Sequence, residues 1–154
     1  MTAPFVVTRL FSLKDANALV PRLAAIFTRA RQIQARMEPV VRQLHVLGHP
    51  AQVAPGEEFE IDPAAPVRVQ KLQAEVKDRL TELRSLLHDV AQLGIEIKKP
   101  EGLVDFRSRL RGKTVYLCWQ FGEERITHWH DLQTGLAGRK RILDADEFAG
   151  ELLH

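Results

Sequence analysis

The 154-residue sequence has few of the features that mark several large classes of protein. It has one cysteine, Cys118, which excludes an intramolecular disulfide framework and is typical of a reducing compartment. No apolar run approaches the roughly 18–20 residues that cross a bilayer, and the first residues lack the pattern of a secretory signal. The net charge is only +2, and aromatic residues do not interleave with the basic ones. We therefore expect a cytoplasmic protein that binds neither membrane nor nucleic acid.

Two long segments carry apolar residues at the spacing of an amphipathic helix. These segments are residues 13–47 and residues 66–94. Residues 48–65 between them are rich in proline and have no period, which predicts a surface loop or a partly disordered segment. The two helices are long enough to pair as an antiparallel, coiled-coil-like hairpin.

Local signals mark the ends and the interior of the first helix. Ser12 is a candidate N-cap, and Gly48 follows the last apolar residue. Pro21 and Pro39 fall inside the pattern, and each removes a backbone donor. We expect kinks or a short break at these prolines.

The remaining segments predict β-structure with one short helix. Residues 5–11 predict a strand, residues 102–142 a β-hairpin module, and residues 144–153 a short acidic helix. The fold class is therefore α+β: one domain over residues 1–154, with a long antiparallel helical hairpin and a small antiparallel β-sheet module.

The position of the hairpin turn determines which side chains share a sheet face. If the strands pair around Gly122 and Glu123, Cys118 lies opposite Thr127, and His130 lies on the other face. A reactive thiolate needs an electropositive neighbour. The pattern therefore predicts that Cys118 is a small core residue rather than a nucleophile.

Several motifs resemble a bacterial family, the domain of unknown function 2203 (DUF2203). The similar segments appear in the family's order over roughly residues 8–142: Phe11-Ser-Leu-Lys-Asp-Ala-Asn-Ala-Leu-Val-Pro21, Gly102-Leu-Val-Asp-Phe106, Val115-Tyr-Leu-Cys-Trp119, Gly122-Glu123, Trp129-His130 and Gly135-Leu-Ala-Gly-Arg139. The resemblance implies a family name but no activity, substrate or cofactor.

Asp105, Glu123, His130 and Arg139 form a candidate functional site, because they are polar residues concentrated in the β-module. As a metal set, Asp105, Glu123 and His130 are unfavourable. In the simple hairpin, Glu123 and His130 would lie roughly 20 Å apart along the strands.

Two further sets of residues are candidates for ligand binding. His128, His130 and Asp131 form a candidate divalent-metal site, because histidines at i and i+2 share one strand face. The glycines and arginines of the following segment form a candidate anion site: Gly135, Gly138, Arg139 and Arg141.

Two functional classes follow from these patterns. The first is a dimeric interaction or scaffolding protein, because a two-helix hairpin leaves apolar stripes that a second copy would bury. The alternative is a small metal- or anion-dependent enzyme or ligand-binding protein, with its site in residues 102–139. A homodimer is expected, and a protein or a small anionic ligand is the expected partner.

Overall fold

The computed structural model describes residues 9–52 and 57–150. Within these residues the chain divides into two compact units: residues 28–86, and residues 9–27 together with 87–150. Among the described residues, no helix is long and apolar enough to cross a membrane. The prediction of a single domain stays a prediction.

Two helices, α1 (Leu13–Val46) and α2 (Val67–Gln92), confirm the predicted helical hairpin. The Ser12 hydroxyl accepts the Asp15 N–H at 3.1 Å, as its N-cap position predicted. Helix α1 continues through Pro21 and Pro39, so there is no break at either proline, and the kinks stay a prediction. Each proline removes one hydrogen bond, and burial of the neighbouring Val20 and Val40 offsets that loss.

The unit of residues 28–86 has its own core between the two helices. The Arg29 Nε donates to the Glu82 carboxylate at 2.9 Å and links α1 to α2. The predicted surface loop at 48–65 contributes Phe59, which is buried, because the apolar helix surface needs a cover. Residues 53–56 of that loop lie outside the described residues. The buried core consists of Val40, Leu44, Phe59, Ala65, Val69 and Val76.

The second unit is built on a six-stranded antiparallel sheet. The strands are β1 (Glu96–Lys99), β2 (Leu103–Leu110), β3 (Lys113–Gln120), β4 (His128–His130), β5 (Lys140–Arg141) and β6 (Phe148–Ala149). Five strands pair in the order β1-β2-β3-β4-β5, and β6 pairs with β2. Of the predicted strand 5–11, residues 5–8 lie outside the described residues, and residues 9–11 are not in a strand.

One face of this sheet is apolar and packs against the parts of α1 and α2 that belong to the same unit. Trp119 of β3 is fully buried, with its ring centroid 6.1 Å from that of Phe27. Because side chains alternate along a strand, Asp105 of β2 and Tyr116 and Cys118 of β3 fall on the opposite face. The core-facing strand residues are Val104, Phe106, Val115, Leu117 and Trp119.

The prediction of a helix at 144–153 is wrong for the part of that segment that the structure describes. A single 3₁₀ turn, Ala145–Glu147, precedes β6, which pairs with β2. The strand allows Phe148 to be buried in the core. At Gly150 a Cβ atom would lie 2.4 Å from the Ser12 nitrogen, so the chain passes too close there for a larger residue.

The predicted register between β3 and β4 is wrong by one residue. Cys118 lies opposite His128 rather than Thr127, and Tyr116 lies opposite His130. A one-residue shift exchanges the two faces of a strand. His130 therefore lies on the same face as Cys118, the face that points away from the core.

Candidate functional site

The polar face of the sheet brings three buried polar side chains together. Asp105 of β2 lies directly opposite Cys118 of β3, and His130 of β4 lies diagonally across from Cys118. All three residues are buried. One ligand-type atom from each (a carboxylate oxygen, the Sγ and an imidazole nitrogen) lies within 4.8 Å of the other two.

Asp105 and His130 form a buried pair at the centre of this cluster. The His130 Nε2 lies 3.0 Å from the Asp105 Oδ1. Burial raises the pKa of the Asp105 carboxyl, and the hydrogen bond and charge of His130 oppose that increase. One proton is therefore held between the two side chains.

The protonation of the other His130 nitrogen follows from its partner. Nδ1 lies 2.7 Å from the backbone carbonyl oxygen of Asp131. A carbonyl oxygen only accepts hydrogen bonds, so Nδ1 must carry the proton. Nε2 is therefore the nitrogen that shares the remaining proton with Asp105. A backbone carbonyl that fixes the tautomer in this way is the usual support of a metal-binding histidine.

Cys118 is buried as the sequence predicted, but among polar groups rather than in the apolar core. Burial raises the pKa of its thiol to about 12, and the nearby negative charge of Asp105 contributes to this increase. The thiol is therefore protonated at neutral pH unless a cation binds beside it. A coordinated metal ion deprotonates a thiol.

We expect Cys118 to resist alkylation in the folded protein. With a pKa of about 12, about one thiol in ten thousand is ionised at pH 8. Iodoacetamide labelling read by mass spectrometry should be at least about a thousandfold slower in native protein than in urea. Labelling at the same rate in both conditions would contradict the buried position of the thiol.

A cavity of about 250 Å³ opens on this cluster. Asp105, Cys118 and His130 form part of its wall. The remaining lining residues come from β1, β2, β3 and the segment after β4: Lys98, Leu103, Tyr116, Leu132, Gln133, Gly135 and Leu136. The buried cluster therefore borders a space that a small molecule can enter.

A second polar network supports the cluster from the β1 side. Glu96 accepts hydrogen bonds from the Arg107 Nε at 2.6 Å and from the Tyr116 hydroxyl at 2.8 Å. The Lys98 ammonium also donates to Glu96, at 3.2 Å. The centroid of the Tyr116 ring lies 5.3 Å from that of His130. These contacts fix the position of a ring that packs on the buried histidine.

The structure pairs the four residues of the predicted functional site two by two. Asp105 binds His130, whereas Glu123 accepts two hydrogen bonds from the Arg139 guanidinium, at 3.0 and 3.1 Å. Glu123 also accepts the Gln120 N–H at 2.7 Å. Glu123 and Arg139 therefore hold the turn after β3 and do not line the cavity.

The predicted metal set of His128, His130 and Asp131 is not brought together. The His128 ring pairs with the Thr127 hydroxyl at 2.8 Å. The Asp131 carboxylate binds Lys113 at 2.9 Å, and this ion pair is the main cause of its lowered pKa. The His130 ring forms its hydrogen bond to Asp131 with the backbone carbonyl and not with the carboxylate.

Two backbone amides of the predicted anion site already donate hydrogen bonds to backbone carbonyls. The N–H of Gly138 donates to the carbonyl of Gly135, and the N–H of Arg139 donates to that of Leu136. Arg141 is exposed on β5, opposite His128. The amides that would bind an anion thus form a 3₁₀ turn instead.

Sequence reasoning missed two residues of the cluster and its surroundings, Cys118 and Tyr116. The alternation of Tyr116, Cys118 and Gln120 along β3 placed all three on one face. The sequence pattern did not show that His130 shares this face, because that depends on the β3–β4 register.

Comparison with known proteins identifies one family. The model of DUF2203, described as an uncharacterized conserved protein, matches residues 9–142. No curated protein and no solved structure matches the chain.

Proposed function

The chain belongs to the DUF2203 family, and we propose that it binds a divalent transition-metal ion of the zinc type through Asp105, Cys118 and His130. The supporting observation is the mutual proximity of three buried ligand atoms, within 4.8 Å of one another. Ligands of a tetrahedral zinc ion lie about 3.3–3.8 Å apart, so small side-chain movements would complete the site.

The chemistry of the three ligands favours zinc over magnesium or calcium. A thiolate and an imidazole suit zinc, whereas the two harder ions prefer sites made of oxygen atoms. The hydrogen bond from His130 Nδ1 to the Asp131 carbonyl makes Nε2, which faces Asp105, the nitrogen that would coordinate the ion.

Three protein ligands leave one coordination position open, as in catalytic rather than structural zinc sites. The cavity of about 250 Å³ beside the cluster gives that position access to a small ligand. A zinc ion held in this way would lower the pKa of a bound water and polarise a substrate carbonyl. The proposed function is therefore that of a small metal-dependent ligand-binding protein or enzyme.

The alternative of dimeric scaffolding has less support. It depended on apolar helix stripes left uncovered in a single chain. In the structure the stripe residues Leu23, Ile33, Leu44 and Val76 are buried within one chain, whereas Leu80, Leu83 and Leu86 of α2 are half-buried. The homodimer stays a prediction, and sedimentation equilibrium distinguishes a dimer from the 17.5 kDa monomer.

Zinc titration of chelator-treated protein tests the proposal. We expect one zinc ion per chain, measured by competition with a chromophoric chelator. Loss of even an outer-shell partner costs about 10–100-fold in affinity. We therefore expect Asp105→Asn, Cys118→Ser and His130→Gln each to weaken binding by at least about a hundredfold. In cobalt-substituted protein, Cys118→Ser should also remove the thiolate-to-cobalt charge-transfer band.

Two matched variants separate this site from the other predicted metal set. His128→Gln changes a histidine on the same strand and face, and Asp131→Asn changes a carboxylate that binds Lys113. Both variants should retain zinc affinity within about threefold, with unchanged circular dichroism. The proposal is wrong if wild-type protein binds no zinc, or if these controls lose as much affinity as the three ligand variants.

A further inference from the structure

We infer that the cavity beside Asp105, Cys118 and His130 binds a small aliphatic carboxylate. This inference rests on the proposed metal site, because the carboxylate would occupy its open coordination position. The size, the apolar wall and the charge of the cavity each support this class of ligand.

The cavity volume limits the ligand to a small molecule. Its volume of about 250 Å³ corresponds to roughly eight waters at about 30 Å³ each. Pockets for drug-sized ligands begin at about 300 Å³. A molecule of about ten non-hydrogen atoms or fewer fits this space.

Three leucines give the cavity an apolar wall. Leu103, Leu132 and Leu136 come from β2 and from the segment after β4. Leu132 is 44% exposed, so an apolar ligand body would remove part of its surface from water. The metal and this wall together suit a ligand with one coordinating end and a short aliphatic chain.

The charges around the cavity favour a ligand whose coordinating end is an anion. Lys98 lines the cavity, and its ammonium donates a hydrogen bond to the Glu96 carboxylate. Glu96 is shared with Arg107, so two cations face one anion in this network. A zinc ion with one thiolate and one carboxylate ligand adds no net charge. An approaching carboxylate therefore meets a net positive environment.

Binding of hexanoate to the cobalt- and zinc-loaded protein tests this inference. We expect hexanoate to shift the cobalt ligand-field bands and to bind the zinc form in calorimetry. Affinity should rise about fourfold per methylene from acetate to hexanoate, because each buried CH₂ contributes a transfer free energy. Decanoate should bind less tightly than hexanoate because its chain exceeds the cavity. The uncharged 1-hexanol should bind at least about tenfold more weakly than hexanoate.

Lys98→Gln tests the role of the cation, and Lys99→Gln is its matched control. Lys99 is the next residue of β1, is exposed, and does not line the cavity. We expect Lys98→Gln to weaken hexanoate binding about tenfold or more without changing zinc affinity. Lys99→Gln should leave both affinities unchanged.

The outcomes for metal and for carboxylate are separate. If zinc binds but hexanoate causes no band shift, or binds no better than 1-hexanol, the carboxylate inference is wrong and the metal site stands. If zinc does not bind, the proposed function fails. Hexanoate binding to metal-free protein that Lys98→Gln weakens would then support the carboxylate pocket alone, without a metal.

Discussion

Replacing His130 by leucine is expected to remove about 3–5 kcal/mol from the free energy of unfolding, measured by urea denaturation with a chelator present. The substitution leaves Asp105 buried without its partner at 3.0 Å. The double variant Asp105→Leu with His130→Leu removes both polar groups and should recover most of that loss. Neither variant should bind zinc.

The loss of unfolding free energy caused by His130→Leu should depend on pH. Burial raises the pKa of Asp105, and the variant lacks the opposing effect of His130. At pH values below the usual aspartate range the carboxyl is protonated in both folded and unfolded states, so the loss is small. As the pH rises through and above that range, only the unfolded state ionises readily, and the variant becomes less stable relative to wild type. A loss independent of pH would contradict this account of the pair.

Trp119→Ala is expected to lower the free energy of unfolding by about 3–5 kcal/mol. Trp119 is fully buried, packs edge-to-face on Phe121, and donates its indole N–H to the Glu123 carbonyl at 2.9 Å. Trp119→Phe keeps an aromatic ring but loses that hydrogen bond, so about 1–2 kcal/mol should be lost. Circular dichroism during urea unfolding measures both values.

Trp129→Ala is the matched control for the core substitution. Trp129 is only half-buried and packs on Phe148 of the edge strand β6. Because the hydrophobic contribution scales with the area removed from water, we expect less than half of the loss seen for Trp119→Ala. Equal losses would show that the core does not centre on Trp119.

The helical part of the fold could be predicted from sequence because its signal is long and local. The apolar stripe of α1 repeats over 34 residues, and its predicted members Val20, Leu23, Phe27 and Leu44 are buried. Over such a length, apolar periodicity identifies both the helix and its buried face. The β6 segment is short, and burial of Phe148 decided its conformation against the local helical pattern.

The site could be predicted only in part because it depends on a register. Asp105 and His130 were selected from the sequence, but Cys118 was assigned to the other face. The segment between β3 and β4 covers residues 121–127 and is longer than the tight turn that Gly122 predicted. Its end is held by a hydrogen bond from the Ile126 N–H to the Asn17 side chain, at 2.7 Å, across 109 residues of sequence. No local pattern encodes such a contact.

The length of this connecting segment therefore limits how the protein can change over evolution. Deleting or inserting one residue between Phe121 and Thr127 would not merely alter a surface turn. If β4 kept its place beside β3, every side chain of β4 would exchange faces, so that Trp129 would enter the polar cavity and His130 the apolar core. The residue count of this segment is therefore fixed by the chemistry on the adjoining strand.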